Sequence, residues 1–255
     1  MEPRYNNTGD LVSGSSKRGY ILKMHVPIII AHRGDSSRAL ENSLEALRLA
    51  LSLPADMIEI DIRRSLDNAL YVMHDKHTGR TADKNVDIER STSEEISRLT
   101  LKNGEPIPTL TDALNVVGGN IGLNLEIKSD GAGRLTAEHL RDFEHRGTVL
   151  ISSFLEAEIL SVRDVAPFIA ISGIFDSFTV KNLSAYRAKG YSLISLRKQT
   201  VSRELIKACH DHDVKVYVWT INGEDEMEKF ILWEVDGIYT NKPSVLKGLL
   251  HGLQR

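Results

Sequence analysis

Short runs of aliphatic and β-branched residues alternate along this chain with longer stretches in which apolar side chains recur every three or four positions. The short runs predict strands at VPIIIA (26–31), DMIEIDI (56–62), IGLNLEI (121–127), TVLISS (148–153), FIAISGIF (168–175), SLISL (192–196), VKVYVW (214–219) and DGIYT (236–240). The longer stretches predict helices, among them ENSLEALRLALS, SFLEAEILSVRDV, SRELIKACHDH and GEDEMEKFILWE, with a last helix opening at Pro243. Strands taken in turn with helices make βα units and a parallel sheet. Eight such units can close into a TIM (β/α)₈ barrel, which needs about 250 residues, and the chain has 255. A doubly wound open sheet is disfavoured, because neither G-x-G-x-x-G nor a Walker loop follows any strand.

The rhythm breaks in two places. Residues 1–24 are polar, with serine and glycine clustered at 13–16, and are expected to form a flexible tail ahead of a single domain spanning 25–255. Met24 stands directly before the first strand and is an alternative start. The interval from Asp61 to Ile121 is too long for a plain βα unit and holds a further strand-like run, ALYVMHD, and a polar stretch at about 76–108. Barrels spend extra residues on loops at the C-terminal face, so this insertion after the second strand is expected to cap that face.

Composition narrows the function classes. Hydrophobic residues at 41% and charged residues at 26% are ordinary for a globular protein, and a net charge of −3 gives no general attraction to nucleic acid. A single cysteine, Cys209, rules out an internal disulfide, and its helical setting marks a buried thiol. No apolar run approaches the roughly 20 residues of a membrane span, and the N-terminus lacks the apolar core of a secretory signal. A cytoplasmic protein without stable membrane insertion is expected, of unknown oligomeric state.

Side chains alternate across a strand, so Glu59 and Asp61 share one face of the second strand, and Glu126 and Lys128 share a face at the end of the third. Either pair alone has a plain explanation as ion pairs in the polar mouth of a barrel. His32 ends the first strand and His74 ends ALYVMHD, whereas the other histidines fall mostly in loops or on helix surfaces. Active sites of barrels form at the C-terminal ends of strands. Two imidazoles, three carboxylates and two cations, Arg33 and Lys128, gathered there constitute a candidate site.

The runs HRGDSSRALENSLEAL, ADMIEIDIRRSLDNALYVMHD, LNLEIK, VYVWTIN and VDGIYTNKP resemble the glycerophosphodiester phosphodiesterase family across roughly residues 26–243. The likeness extends to the insertion, with Arg80 and Thr81 and the closing IPTL. It implies that Glu59, Asp61 and Glu126 hold a divalent cation, that His32 and His74 are the acid and base in either order, and that Arg33 and Lys128 hold phosphate. It also implies a pocket wall at Trp219, whose alternative role is a core aromatic. Ser43 stands where the family usually has threonine, Asn68 replaces a turn glycine, and Asn241 replaces an acidic residue.

Elementary chemistry agrees with these implied roles. Three carboxylates without cysteine make a hard oxygen site suited to Mg²⁺ or Ca²⁺. With a divalent cation and two basic side chains the site carries about one net positive charge, which one small-molecule phosphodiester anion neutralises. Water or a glycerol hydroxyl can be the nucleophile, the latter through a cyclic phosphate. Two rival readings remain: a Schiff-base aldolase with Lys128 as its amine, and a catalytically silent binding barrel.

Overall fold

The structure, a computed structural model, describes residues 25–119, 121–143 and 147–253. The expected tail at 1–24 lies outside the described residues, as does His145. Nine strands are present among them: β1 (Ile28–His32), β2 (Met57–Arg64), β3 (Leu70–Val72), β4 (Gly122–Ile127), β5 (Val149–Ser153), β6 (Ala170–Phe175), β7 (Leu193–Arg197), β8 (Lys215–Trp219) and β9 (Gly237–Thr240). All but β3 form a closed parallel ring in the order β1-β9-β8-β7-β6-β5-β4-β2, with β2 returning to pair with β1. The ring is the expected TIM barrel, and each strand predicted from sequence lies within a few residues of its place. β3 pairs antiparallel with β2 outside the ring.

Helices fill the intervals: α1 (Leu44–Leu51), α2 (Ser93–Ile96), α3 (Leu110–Val117), α4 (Ala132–Asp142), α5 (Glu156–Val165), α6 (Val180–Ala188), α7 (Arg203–Asp211), α8 (Glu224–Leu232) and α9 (Pro243–Leu253). Strand alternation divides β2 between two environments. Ile58, Ile60 and Ile62 turn outward and pack with Leu47 and Ala50 of α1 and Leu110 and Leu114 of α3. Burying each such side chain stabilises the fold by about 1.5–3 kcal/mol. Glu59 and Asp61 turn inward and are buried. A second buried apolar cluster is built from α7, α8 and α9 and includes Cys209, whose thiol burial pushes up to about 11.

Inside the ring the floor is Ile30, Met57, Leu150 and Tyr217, with Tyr239 above them. Over it lies a hydrogen-bonded polar layer. Asn124 Nδ2 donates to the Tyr239 hydroxyl at 2.9 Å, and the Ser152 hydroxyl donates to Asn124 Oδ1 at 2.9 Å. The segment at 76–108 builds a satellite core of its own around Ile88, Ile96, Leu99 and Leu101, beside Tyr71 and Met73.

The chain leaves β1 through two successive left-handed residues, Arg33 at φ 59° and Gly34 at φ 79°. This bend brings the Asp35 amide to the Ala46 carbonyl of α1 at 3.0 Å, so the backbone passes close to the helix. A Cβ at Gly34 would lie 2.6 Å from the Ala46 carbonyl carbon. Gly34→Ala therefore combines a left-handed alanine, costing about 1–2 kcal/mol, with an overlap costing about 1–3 kcal/mol. Thermal unfolding of the variant is expected to show a melting temperature lower by at least about 4 °C; an unchanged value would show that α1 yields freely.

Candidate active site

Parallel pairing of β2 with β4 puts Asp61 opposite Glu126, and pairing of β1 with β2 puts His32 opposite Glu59. Glu59, Asp61 and Glu126 consequently offer carboxylate oxygens within 4.8 Å of one another, all three buried. Such crowding penalises ionisation. Burial, with Asp61 and Glu126 nearby, raises Glu59 well above the ordinary carboxyl range. Burial also lifts Glu126, to about 7, against the opposing charge of Lys128. For Asp61, burial is outweighed by Arg33 and Lys128, which hold it low.

The two cations sit against these acids. Arg33 Nε is 3.1 Å from Asp61, its Nη1 donates to Glu41 at 2.7 Å, and its backbone amide donates to Glu59 Oε2 at 2.9 Å. Lys128 pairs with Glu126 and lies 3.3 Å from Asp61. Although burial works against its charge, Asp61 and Glu126 prevail and raise its pKa. Schiff-base lysines are activated by a lowered pKa, and these pairings act in the opposite direction, which weighs against an aldolase.

Three carboxylates face two cations, and a divalent ion would let all three stay ionised. Glu59 Oε1 is buried with no hydrogen-bond partner among the described residues, an atom left over for a ligand. The donor set is all oxygen and fits a hard cation.

His32 donates from Nδ1 to Asn241 Oδ1 at 2.8 Å, leaving Nε2 4.0 Å from Glu59. Burial and the Arg33 charge lower its pKa to about 4. His74 is likewise lowered, chiefly by burial, but its Nδ1 donates to the Asp75 carboxylate at 2.7 Å. Both rings line one cavity of about 200 Å³ together with Arg33, Glu126, Lys128 and Trp219. Trp219 Nε1 is buried there without a hydrogen-bond partner. All eight residues singled out from the sequence are thus brought to one place, six lining the cavity and Glu59 and Asp61 beneath it.

A model described as the glycerophosphoryl diester phosphodiesterase family matches residues 32–245. A glycerophosphodiester phosphodiesterase of Caldanaerobacter subterraneus is 32% identical over 237 residues, covering 88% of this chain and 97% of that protein. The chain belongs to the glycerophosphoryl diester phosphodiesterase family. Solved structures agree in fold. An Oleispira antarctica phosphodiesterase superposes with a TM-score of 0.82 at 24% identity, covering 89% of this chain and 97% of that one. A glycerophosphodiester phosphodiesterase of Agrobacterium tumefaciens has a TM-score of 0.74 at 26% identity, covering 88% and 100%.

The departures of this phosphodiesterase from the family pattern are structurally conservative. Ser43 caps α1 by accepting from the Ala46 amide, Asn68 takes a left-handed φ of 68°, and Asn241 still reaches His32. A second tier of side chains carried no role in the sequence reading. Asn42, left-handed at φ 58°, donates to Asp61 at 2.8 Å. Arg80, from the insertion, grips both Glu41 oxygens at 2.6 and 2.8 Å and Asp75 at 2.5 Å. Glu41 in turn holds Arg33, and Asp75 holds His74. One guanidinium therefore ties Arg33 to His74 through these two carboxylates.

Arg80→Ala removes that tie while leaving the apolar core untouched. Turnover is expected to fall about tenfold and KM to rise, with a melting temperature near that of the parent, because half-exposed ion pairs contribute little stability. Arg80→Lys should restore only part of the rate, since an ammonium cannot replace a two-pronged guanidinium. Steady-state kinetics on a glycerophosphodiester check it, and a fully active Arg80→Ala enzyme would count against the tie.

Proposed function

We propose that this phosphodiesterase hydrolyses glycerophosphodiesters, the deacylated phospholipids, to glycerol 3-phosphate and an alcohol. The observation that carries the reading is the meeting of three carboxylates, two imidazoles and two cations at one barrel mouth. The Oleispira antarctica relative, described in complex with its product sn-glycerol-3-phosphate, supports the same product here.

Glu59, Asp61 and Glu126 would hold the divalent cation, Mg²⁺ or Ca²⁺. When bound, it supplies a positive charge that polarises the phosphoryl oxygens and neutralises the charge that builds on them. Arg33 and Lys128 supply the remaining positive charge around the phosphate. One histidine takes the proton from the attacking water, or from a glycerol hydroxyl that closes a cyclic phosphate which water then opens, as the attacking oxygen bonds to phosphorus. The other gives a proton to the departing alkoxide as the old P–O bond breaks, so charge and protons balance. Trp219 walls the cavity against the substrate. Among the described residues no helix is long and apolar enough to cross a membrane, and a cytoplasmic location is proposed from the sequence alone.

Assay of glycerol 3-phosphate release from a panel of glycerophosphodiesters tests the function. Chelation should abolish release, and added Mg²⁺ or Ca²⁺ should restore it. Changing Glu59, Asp61 or Glu126 to its amide should raise the cation concentration needed for half activity and cut turnover strongly. Full activity in excess chelator would defeat the metal assignment.

The histidines have a separate test. His32→Ala or His74→Ala should each lower kcat by about 10²–10⁴ on a diester with a poor alkoxide leaving group. A nitrophenyl diester needs no proton on departure, so it should be spared in the acid variant and stay slow in the base variant. Near-normal rates of both variants on the natural diester would make the histidines structural.

A further inference from the structure

β2 carries a third charged side chain on the face of its two acids. Glu59, Asp61 and Arg63 lie two apart and so share that face, and Arg63 stands one step past Ile62, where the pairing of β2 with β4 ends. Its side chain is only 12% exposed. A guanidinium so far from water must find its acceptors within the protein.

The acceptors come from three separate segments. Nε donates to the backbone carbonyl of His74 at 2.8 Å, and Nη1 donates to Glu89 Oε1 at 2.7 Å and to the backbone carbonyl of Lys128 at 3.3 Å. His74 follows β3 and Lys128 follows β4, so the two reach the cavity on different elements. Arg63 is not among the residues that line that cavity. It can act on a bound diester only through the residues it holds.

Glu89 holds the guanidinium from the other side. It belongs to the short turn Ile88–Arg90 of the insertion, and its carboxylate also accepts from the Ser129 hydroxyl at 2.8 Å and pairs with Lys76 at 3.3 Å. Ser129 directly follows Lys128, and Lys76 lies two residues beyond His74. The carboxylate therefore gathers the same two segments as the arginine. The Lys128 amide donates to the Ile62 carbonyl at 2.9 Å, so the backbone of Lys128 is held at its N–H by β2 and at its carbonyl by Arg63. An ion pair that only fastened the insertion to the barrel would need Glu89 alone. Donors fixed in one plane also stop the two carbonyls from shifting independently.

We infer that Arg63 is a positioning residue for the reaction, setting the backbones of His74 and Lys128 at fixed places relative to each other and to β2, with Glu89 keeping its guanidinium in register. The inference rests on the proposed phosphodiesterase activity. It differs from the tie through Arg80, which reaches the ring of His74 by way of Asp75, whereas Arg63 holds the peptide.

Glycerol 3-phosphate release from glycerophosphocholine, measured with the full chain in Mg²⁺, tests it. Arg63→Met keeps an unbranched stem and removes every donor, and kcat per folded enzyme should fall about 10- to 100-fold, the scale of loss that a misplacement of about 1 Å produces. The cation concentration for half activity should not move, because Glu59, Asp61 and Glu126 are not its partners. Arg63→Lys should recover only part of the rate, since an ammonium cannot span both carbonyls. The deciding measurement is a cycle of variants: Arg63→Met should cost less in a His74→Ala enzyme, and less in a Lys128→Ala enzyme, than in the parent, because a group it places is already gone. If Glu89 left uncompensated prevents folding, Arg63→Met combined with Glu89→Gln carries the same cycle without the stranded charge. A lowered melting temperature with kcat intact, full activity of Arg63→Lys, or a loss of undiminished size in both backgrounds makes Arg63 a fastening of the insertion and overturns the inference, leaving the phosphodiesterase reading in place. A parent enzyme that releases no glycerol 3-phosphate overturns that reading and the inference with it.

Discussion

Everything at the mouth of this barrel follows from one electrostatic constraint, the burial of three carboxyl groups within 4.8 Å of one another. Such a cluster opposes folding unless positive charge is brought to it. The chain answers with Arg33 and Lys128, and still leaves Glu59 driven toward its neutral form and one of its oxygens unbonded. Three carboxylates against two cations leave a net negative charge, and such a cluster is one that a divalent ion would suit.

That constraint explains the local conformations around it. A guanidinium can reach Asp61 from the end of β1 only if the chain turns back at once, and Arg33 does so in a left-handed conformation that leaves its own amide on Glu59. Asn42 turns in the same way to donate to Asp61. Two non-glycine residues held at positive φ on either side of one carboxylate are strain kept in place by the interactions it permits. Gly34 makes room for the turn beside α1, where a larger residue meets the helix backbone.

The barrel and the candidate site are legible in the sequence for distinct reasons. Fully buried parallel strands read as unbroken apolar runs, so an acid inside DMIEIDI stands out, and the period-two rule assigns its face without knowledge of the fold. His32 and Lys128 are legible as polar side chains at strand ends. Glu41, Asp75 and Arg80 fall inside the stretches that carry the family resemblance, but nothing in their residue types assigns them a role: they lie in turns and in a polar insertion where charge is the norm, and their meaning resides in contacts spanning up to 39 positions of chain. A cavity of about 370 Å³ between α5 and α6, lined by Phe175, Phe178, Tyr186 and Tyr191, is hidden for another reason. Its aromatic residues look like ordinary core in a periodic pattern, and only the separation of two helices turns them into a surface.

The two sides of the mouth accordingly do different physical work. On the side of the insertion, Arg80, Glu41 and Asp75 form a charged lattice that fixes Arg33 and His74, and the catalysis proposed for them requires placement to fractions of an ångström. On the side of Phe154, whose ring lines the cavity and meets Trp219 edge-on at 5.8 Å, the surface is apolar, and misplacement of an occupant there costs little, because hydrophobic contact is non-directional. A barrel accommodates both because its strands fix the shared centre while each βα loop varies independently. The charged half is therefore tied to the shared centre, and the apolar half is free of that constraint.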